Sequence, residues 1–297
     1  MILLTGSSGF IGSHLLAKLS EKFGKDETIS LTSLPINGYK YIIHNNYNID
    51  VLKTSLNHLD ISTVIHVGSF IPKIGSETNN IADCNSNIFN TYKLLDSLSG
   101  KHISKLIFIS TVDVYGEDEI ITEESPLNPY SLYGQSKLYC ERMIKIWGDK
   151  NNVDIQILRI GHVYGPGEEK YKKIIPVTME RLLNGLAPQI WGNGTEIRSF
   201  IFVTDVVNAI LKAIELNHCF GPINIVSGNK ISIYDLMKLI QKIANNSQPI
   251  EFQESNKPSR NLYFNNIIMK YILCDEEVSL EAGLALEWAN MNNNYNI

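Results

Sequence analysis

Six short apolar runs punctuate the first half of the chain: MILL (1–4), TISLT (28–32), YIIH (41–44), TVIHVG (63–68), KLIFIS (105–110) and IQILRI (155–160). Each is rich in Ile, Leu or Val over four to six residues, which predicts strands buried on both faces. Between several of them the apolar positions recur every three or four residues. IGSHLLAKLSEKF (11–23) and NIFNTYKLLDSLS (87–99) show this period, that of a helix with one buried face. Strands alternating with helices predict βαβ crossovers, hence an α/β fold with a doubly wound parallel sheet over residues 1–165. The pattern changes at the polar, turn-rich YGPGEEKYKK (164–173). Beyond it, helical periods dominate: VTDVVNAILKAIEL (203–216) predicts a helix capped by Thr204, and ISIYDLMKLIQKIA (231–244) one capped by Ser232. Residues 166–297 are therefore expected to form a smaller, mixed lobe over the sheet's C-terminal edge, with 200–225 returning to the first domain. The cleft between the two is where open α/β sheets bind ligands.

Composition narrows the classes. The 297 residues carry 26 Lys and Arg against 31 Asp and Glu, a net charge of −5 with no basic run, which argues against a nucleic-acid partner. Cys84, Cys140, Cys219 and Cys274 share no CxxC spacing, so neither a metal site nor a disulfide framework is expected, and reduced thiols in a cytoplasmic protein are. The chain opens with MILLTG and has no apolar stretch of membrane-spanning length, so neither export nor a membrane is expected. The Asn-rich MNNNYNI at the end reads as a frayed tail, and Glu168 and Glu169 as part of a solvated loop.

Two motifs carry chemistry. TGSSGFIG (5–12) follows the first strand and opens the first helix, with Gly6, Gly9 and Gly12 spaced GxxGxxG. Glycine there permits a tight turn and a close backbone approach to a pyrophosphate, which the free N–H groups of the helix would then face. Strand, glycine loop and helix in that order indicate a dinucleotide site on a Rossmann sheet. The second strand ends in Thr32 and Ser33, with neither an acid for the ribose of NAD nor a cation for the 2′-phosphate of NADP. Cofactor preference between NAD and NADP stays open, leaning to NADP because no carboxylate repels the phosphate. The second motif is NPYSLYGQSK (128–137), expected to start a helix at Asn128 as N-cap with Pro129 in first position. Tyr133 and Lys137 are four apart and share a helix face. Ionising a phenol at neutral pH requires a shift of ~3 pKa units, or ~4 kcal/mol, and a nearby ammonium helped by an oxidised nicotinamide can supply it.

TGSSGFIG, ISTVDVYG (109–116), NPYSLYGQSK, LRIGHVYGPG (158–167) and IRSFIFVTDV (197–206), with VSLEAGLALEW (278–288) near the end, resemble the extended short-chain dehydrogenase/reductase family. Within it they are similar to the NAD(P)-dependent epimerase/dehydratase branch acting on nucleotide-activated sugars. The resemblance implies an enzyme with Thr111, Tyr133 and Lys137 as its catalytic residues. It implies cofactor contacts from Gly6, Ser8, Gly9, Phe10, Ile11 and Gly12, and from Thr32, Asn48 and Ile49. Val67, Gly68, Ser69, Asn87, Ser110, Tyr133 and Lys137 would complete that set. Thr111, His162, Arg198 and Arg260 are the implied contacts to a nucleotide sugar, with His162 expected to hydrogen-bond rather than to act as an acid. Tyr115 and Tyr164 are expected to pack in their turns. Dehydratases of the branch carry adjacent Asp-Glu after the catalytic Thr; here those positions are Val112 and Asp113. Valine cannot protonate a leaving hydroxyl, so dehydration is disfavoured. A 4-keto-6-deoxy-sugar reductase ranks narrowly ahead of a 4-epimerase, and a catalytically silent dinucleotide sensor comes third. The resemblance also implies a homodimer that packs two helices per subunit, one of them the helix of Tyr133.

Overall fold

The computed structural model describes residues 1–44, 47–116, 118–255, 261–274 and 276–295. The first half runs β1 (Ile2–Thr5), α1 (Phe10–Phe23), β2 (Thr28–Thr32), β3 (Lys40–Ile43), α2 (Ile49–Leu56), β4 (Thr63–His66), α3 (Ile81–Ser97), β5 (Lys105–Thr111), α4 (Leu132–Asn151) and β6 (Asp154–Ile160). The rest follows as β7 (His162–Tyr164), α5 (Ile174–Leu183), β8 (Gln189–Trp191), β9 (Ile197–Arg198), β10 (Phe200–Phe202), α6 (Val203–Glu215), β11 (Pro222–Ile225), β12 (Ile231–Ser232), α7 (Ile233–Ile243), β13 (Glu251–Gln253), α8 (Ile267–Ile272) and α9 (Leu280–Tyr295).

Seven strands form one parallel sheet in the order β11-β6-β5-β4-β1-β2-β3. All six apolar runs lie in it. The order reverses beside β1, so the C-terminal ends of β1, β4 and β5 open onto a shared crevice. Alternate side chains leave opposite faces of each strand. Leu4, Ile65, Ile107 and Leu158 join a core with Leu15 and Leu19 of α1 and Val207 and Ile210 of α6. On the other face Leu3, Val64, Leu106 and Phe108 pack with Leu52 of α2, Leu94 of α3 and Ile144 of α4. A buried Lys105 ties the layers, its ammonium donating to the carbonyls of Ala213, Ile214 and Leu216 at the C-terminal end of α6.

A third core, built on Met179, Ile190, Leu236, Phe200, Phe202 and Leu284, holds α5, α7 and α9 with the short strand pairs. β7 pairs with β10 and β8 with β13 in parallel, and β9 pairs with β12 antiparallel.

Three local expectations need correction. The helix of Tyr133 starts at Leu132: the Ser131 hydroxyl accepts from the Gly134 N–H at 3.1 Å, and Asn128 and Pro129 lie upstream in non-helical chain. α6 is capped by Phe202 without a side-chain bond and Thr204 is already inside its first turn. Ser232 does cap α7, accepting from the Asp235 N–H at 3.0 Å. The Asn-rich tail continues α9 to Tyr295, whose hydroxyl donates to Asn184.

Candidate active site at the C-terminal edge of the sheet

The glycine loop is shaped by contact. Gly6 has φ +71°, and a Cβ there would lie 2.6 Å from the Gly68 backbone; a Cβ on Gly12 would lie 2.0 Å from the Gly6 carbonyl oxygen. The turns after β1 and β4 thus press together, and α1 starts against the loop. Thr5 braces them from behind. Its hydroxyl accepts from the Gly68 N–H at 2.9 Å and pairs with His66 Nδ1 at 2.8 Å, and His66 Nε2 meets the Thr91 hydroxyl at 3.1 Å. Burial pushes the His66 imidazole down to about 3, so it is neutral and acts as a fixed polar strut.

Above this floor is a pocket of about 580 Å³. Its wall includes Gly6, Ser8, Gly9, Phe10, Ile11 and Gly12, then Val67, Gly68 and Ser69, then Ser110, Thr111, Tyr133, Lys137 and His162. The cradle without side chains at Gly6 and Gly12, facing the amides that begin α1, suits the diphosphate of a dinucleotide.

β5 and α4 bring Thr111, Tyr133 and Lys137 to the pocket. Thr111 ends β5, and its hydroxyl accepts from the Asp113 N–H at 3.2 Å, turning the chain into the short 3-10 turn Val112–Val114. Gly134 lets α4 approach that turn, since a Cβ there would lie 2.3 Å from the Asp113 carbonyl oxygen. Tyr133 consequently stands with Thr111 on the pocket wall. Burial first, and then the Asp113 carboxylate, raise the Tyr133 phenol above its ordinary value, so it is protonated at neutral pH. Lys137 is buried one turn on, donating to the Ile109 carbonyl at 2.6 Å and the Ser69 hydroxyl at 2.9 Å, with the Phe108 ring 4.3 Å from its ammonium. Burial lowers it to about 8.

A layer behind these residues was missed by sequence reasoning. Glu141, one turn beyond Lys137, is buried and accepts from Arg159 Nε at 3.1 Å and Nη2 at 2.8 Å, and from the Ser110 hydroxyl. Arg159 also donates to the Tyr115 hydroxyl at 2.7 Å, which in turn donates to Asn224 at 2.7 Å. The network ties α4 to β5, β6 and β11 directly beneath the Thr111–Tyr133 pair. Tyr115 packs, as expected, but it also completes this network. Lys137 and Glu141 four apart, and the Arg of LRIGHVYG, were the signal available.

The remaining predicted contacts fall differently. Thr32, Asn48, Ile49, Asn87 and Arg198 are not on the pocket wall. The Thr32 hydroxyl closes the turn after β2 onto Leu34, and Asn48 caps α2. Asn87 spends its amide on both backbone groups of Phe70 and on Ser136, bracing the loop after β4. Arg198 pairs with Glu196 at 2.7 Å. Arg260 lies outside the described residues. His162 is on the wall with its Nδ1 buried and unpartnered, and burial, Arg198 and Lys173 push it down to about 4. A neutral imidazole suits hydrogen bonding. Val112, 8% exposed, and Asp113 both line the pocket.

Glu168 corrects the reading of 164–173 as a solvated loop. It is 1% exposed, beside Lys173 at 3.3 Å, and burial raises it to about 7. Glu287 of α9 is wholly buried nearby with both carboxyl oxygens unpartnered, and burial together with Glu168 and Glu169 raises it to about 9. The segment crosses the mouth of the pocket, where Tyr171, Lys172 and Lys173 join Ile71 and Lys73 as walls that sequence reasoning missed.

Residues 2–225 match the family described as the NAD dependent epimerase/dehydratase family. The putative UDP-glucose 4-epimerase of Methanocaldococcus jannaschii is 32% identical over 252 residues, 81% of either chain. The dTDP-4-dehydro-6-deoxyglucose reductase of Escherichia coli is 27% identical over 267 residues, covering 85% of this chain and 84% of that one. Among solved structures, the UDP-glucose 4-epimerase of Thermotoga maritima with UDP-glucose superposes with a TM-score of 0.89 at 25% identity, covering 99% of each chain. With its parallel seven-stranded sheet, glycine loop and Thr111–Tyr133–Lys137 cluster, the chain belongs to the NAD-dependent epimerase/dehydratase family of enzymes.

Proposed function

We propose that the protein is an NAD-dependent 4-epimerase of a UDP-activated sugar. The observation that carries this reading is that Thr111, Tyr133 and Lys137 share one pocket wall, with Val112 where a dehydratase needs a proton donor. The sequence alone ranked a 4-keto-6-deoxy-sugar reductase first. Similarity to the UDP-glucose 4-epimerase of Thermotoga maritima, matched over nearly its whole length, supports reversing that order. A bound NAD would supply reversible hydride acceptance for the sugar's C4. Thr111 orients the 4-hydroxyl, and Tyr133, ionised once the charge of a bound nicotinamide joins that of Lys137, would remove its proton and restore it. Lys137 lends positive charge to the phenolate through the low-dielectric pocket and, with Ser69, offers donors to a ribose. Val112 contributes no proton, so the ring keeps its other hydroxyls.

In this reading residues 1–165 with 200–225 hold the dinucleotide, and the rest of 166–297 closes on the nucleotide sugar. Thr111 and His162 face the sugar from the pocket wall, and Arg198 would leave Glu196 to meet the substrate diphosphate. A homodimer through α3 and α4 is supported by Ile81, Phe89 and Tyr92 on one helix and Leu132, Tyr139 and Ile146 on the other, all exposed. Incubation with NAD and UDP-glucose, assayed for UDP-galactose, tests the assignment. Interconversion without net NADH is expected. Stoichiometric oxidation of NADH or NADPH by a 4-keto-6-deoxy sugar would instead select the reductase, which the missing acid at Thr32 and the Escherichia coli relative favour.

A further inference from the structure

One row of polar residues crosses the sheet beneath α4. Ser110 of β5, Arg159 of β6 and Asn224 of β11 are register partners on adjacent strands, and none is more than 4% exposed. The guanidinium in the middle of the row is used on all three nitrogens: Nε and Nη2 donate to Glu141 of α4, and Nη1 donates to the Tyr115 hydroxyl. Ser110 gives the same carboxylate a third donor. On α4, Lys137 and Glu141 are four apart and meet successive residues of β5, Lys137 through the Ile109 carbonyl and Glu141 through the Ser110 hydroxyl. An ammonium and a carboxylate at that helical spacing ordinarily pair. Here Lys137 donates to Ile109 and Ser69 instead, and both Glu141 oxygens are filled by donors from the sheet.

The other titratable groups around Lys137 leave its charge to this pair. Tyr133 and Cys140 on α4 and Cys84 of α3 are pushed up by burial and stay neutral. Burial pushes His66 of β4 down to about 3 and His162, across the pocket, down to about 4, so both are neutral too. Asp113, on the turn after β5, is exposed and screened by solvent. Of the lysines on the pocket wall, Lys73 and Lys172 are exposed and Lys173 pairs with Glu168. Glu141 and Arg159 are thus the buried charges beside the Lys137 ammonium.

We propose that Arg159 is a positioning residue for the reaction: by filling both oxygens of Glu141 it withholds that carboxylate from Lys137, so the ammonium's charge is directed into the pocket. The proposal rests on the Tyr133–Lys137 reading given above for what that charge does there. Without Arg159, Glu141 would take the ammonium as an ordinary helical pair. Lys137 would then stay charged to higher pH, yet lend less of its charge to the phenolate.

Removing either partner breaks the same ion pair, but the two losses act on Lys137 with opposite sign. Arg159→Met removes a positive charge and frees the carboxylate, so Lys137 should keep its proton to a pH about one unit higher. Glu141→Gln removes a negative charge and leaves the guanidinium, so the proton should be lost about one unit lower. Arg159→Lys keeps the charge and should stay near wild type. Competitive acetylation with trace acetic anhydride across pH, read at the Lys137 peptide by mass spectrometry, measures this on the protein without substrate. In turnover the alkaline limb should move in the same two directions, and Arg159→Met should lower kcat about tenfold while NAD affinity changes only a few-fold. Midpoints that stay put or move together overturn the proposal, because a purely structural pair weakens the fold without reversing sign. Where Arg159→Met does not fold, Glu141→Gln decides alone, an unmoved or raised midpoint overturning it. Opposite shifts in a protein that turns over no nucleotide sugar would uphold the charge assignment and overturn the epimerase reading instead.

Discussion

Tyr133 starts uphill. Burial and the Asp113 carboxylate both favour the neutral phenol and outweigh the Thr111 hydroxyl beside it. Tyr133→Phe keeps the ring and removes the acid–base group, so turnover should fall by about two to four orders of magnitude while NAD affinity changes only a few-fold. Activity and dinucleotide titration on the same preparation check this. Lys137, lowered to about 8, is charged below that pH and neutral above it. Turnover should decline as pH rises through 8, and Lys137→Met should lose that alkaline limb along with most activity; a pH–rate profile decides. Tyr133, Lys137 and the glycines were brought to one pocket by local spacing on a helix face and a turn, and Thr111 was pointed to by the family resemblance. Glu168 and Tyr171 were not legible. A charged run reads as solvated when its cover comes from α9, more than a hundred residues later.

Helix α4 carries the site, and its seating decides whether the site exists. It is held by the Gly134 contact above and the Glu141–Arg159 pair below, both partners at most 4% exposed. Glu141→Ala leaves Arg159 buried without its counter-ion and should cost about 3–5 kcal/mol. Replacing both by apolar residues of similar volume, Glu141→Leu with Arg159→Met, should recover much of that loss; urea unfolding of the three proteins measures it. On α9 the sign differs. Glu287 has a folded value of about 9 against an ordinary 4.5, so the folded state holds the extra proton. Its contribution is fully present below pH 4.5 and is lost as pH rises towards 9. Glu287→Gln should therefore melt higher than wild type at pH 8–9, by ~3–8 °C, the gain shrinking towards pH 5 in thermal scans. Caps show how far local sequence reaches: Ser232 was readable, whereas α6 starts at Val203 because packing sets its first turn, and Asp205 there turns to the Val278 N–H at 3.0 Å.

The parallel sheet was legible as a class, because runs of Ile, Leu and Val on its inner strands fit burial on both faces; β3 at the edge departs from that expectation, with Tyr41 and Ile43 exposed. Its second lobe was harder to read: two- and three-residue strands such as β9 and β12 leave almost no periodic trace. If α3 and α4 form the contact between two copies, Phe89→Glu with Ile146→Glu should halve the mass seen in sedimentation. Activity should fall as well, because α4 carries Tyr133. The position of β11 sets the order in which this molecule can be made. Pro222–Ile225 are the last residues to join the sheet, and they cover the outer edge of β6. A nascent chain that has reached Ile160 but not Ile225 presents a row of unpaired N–H and C=O groups on an apolar strand, a template for pairing with its neighbours. A fragment ending at residue 165 should accordingly be recovered in the void volume on gel filtration, and one extended through 225 as a discrete species.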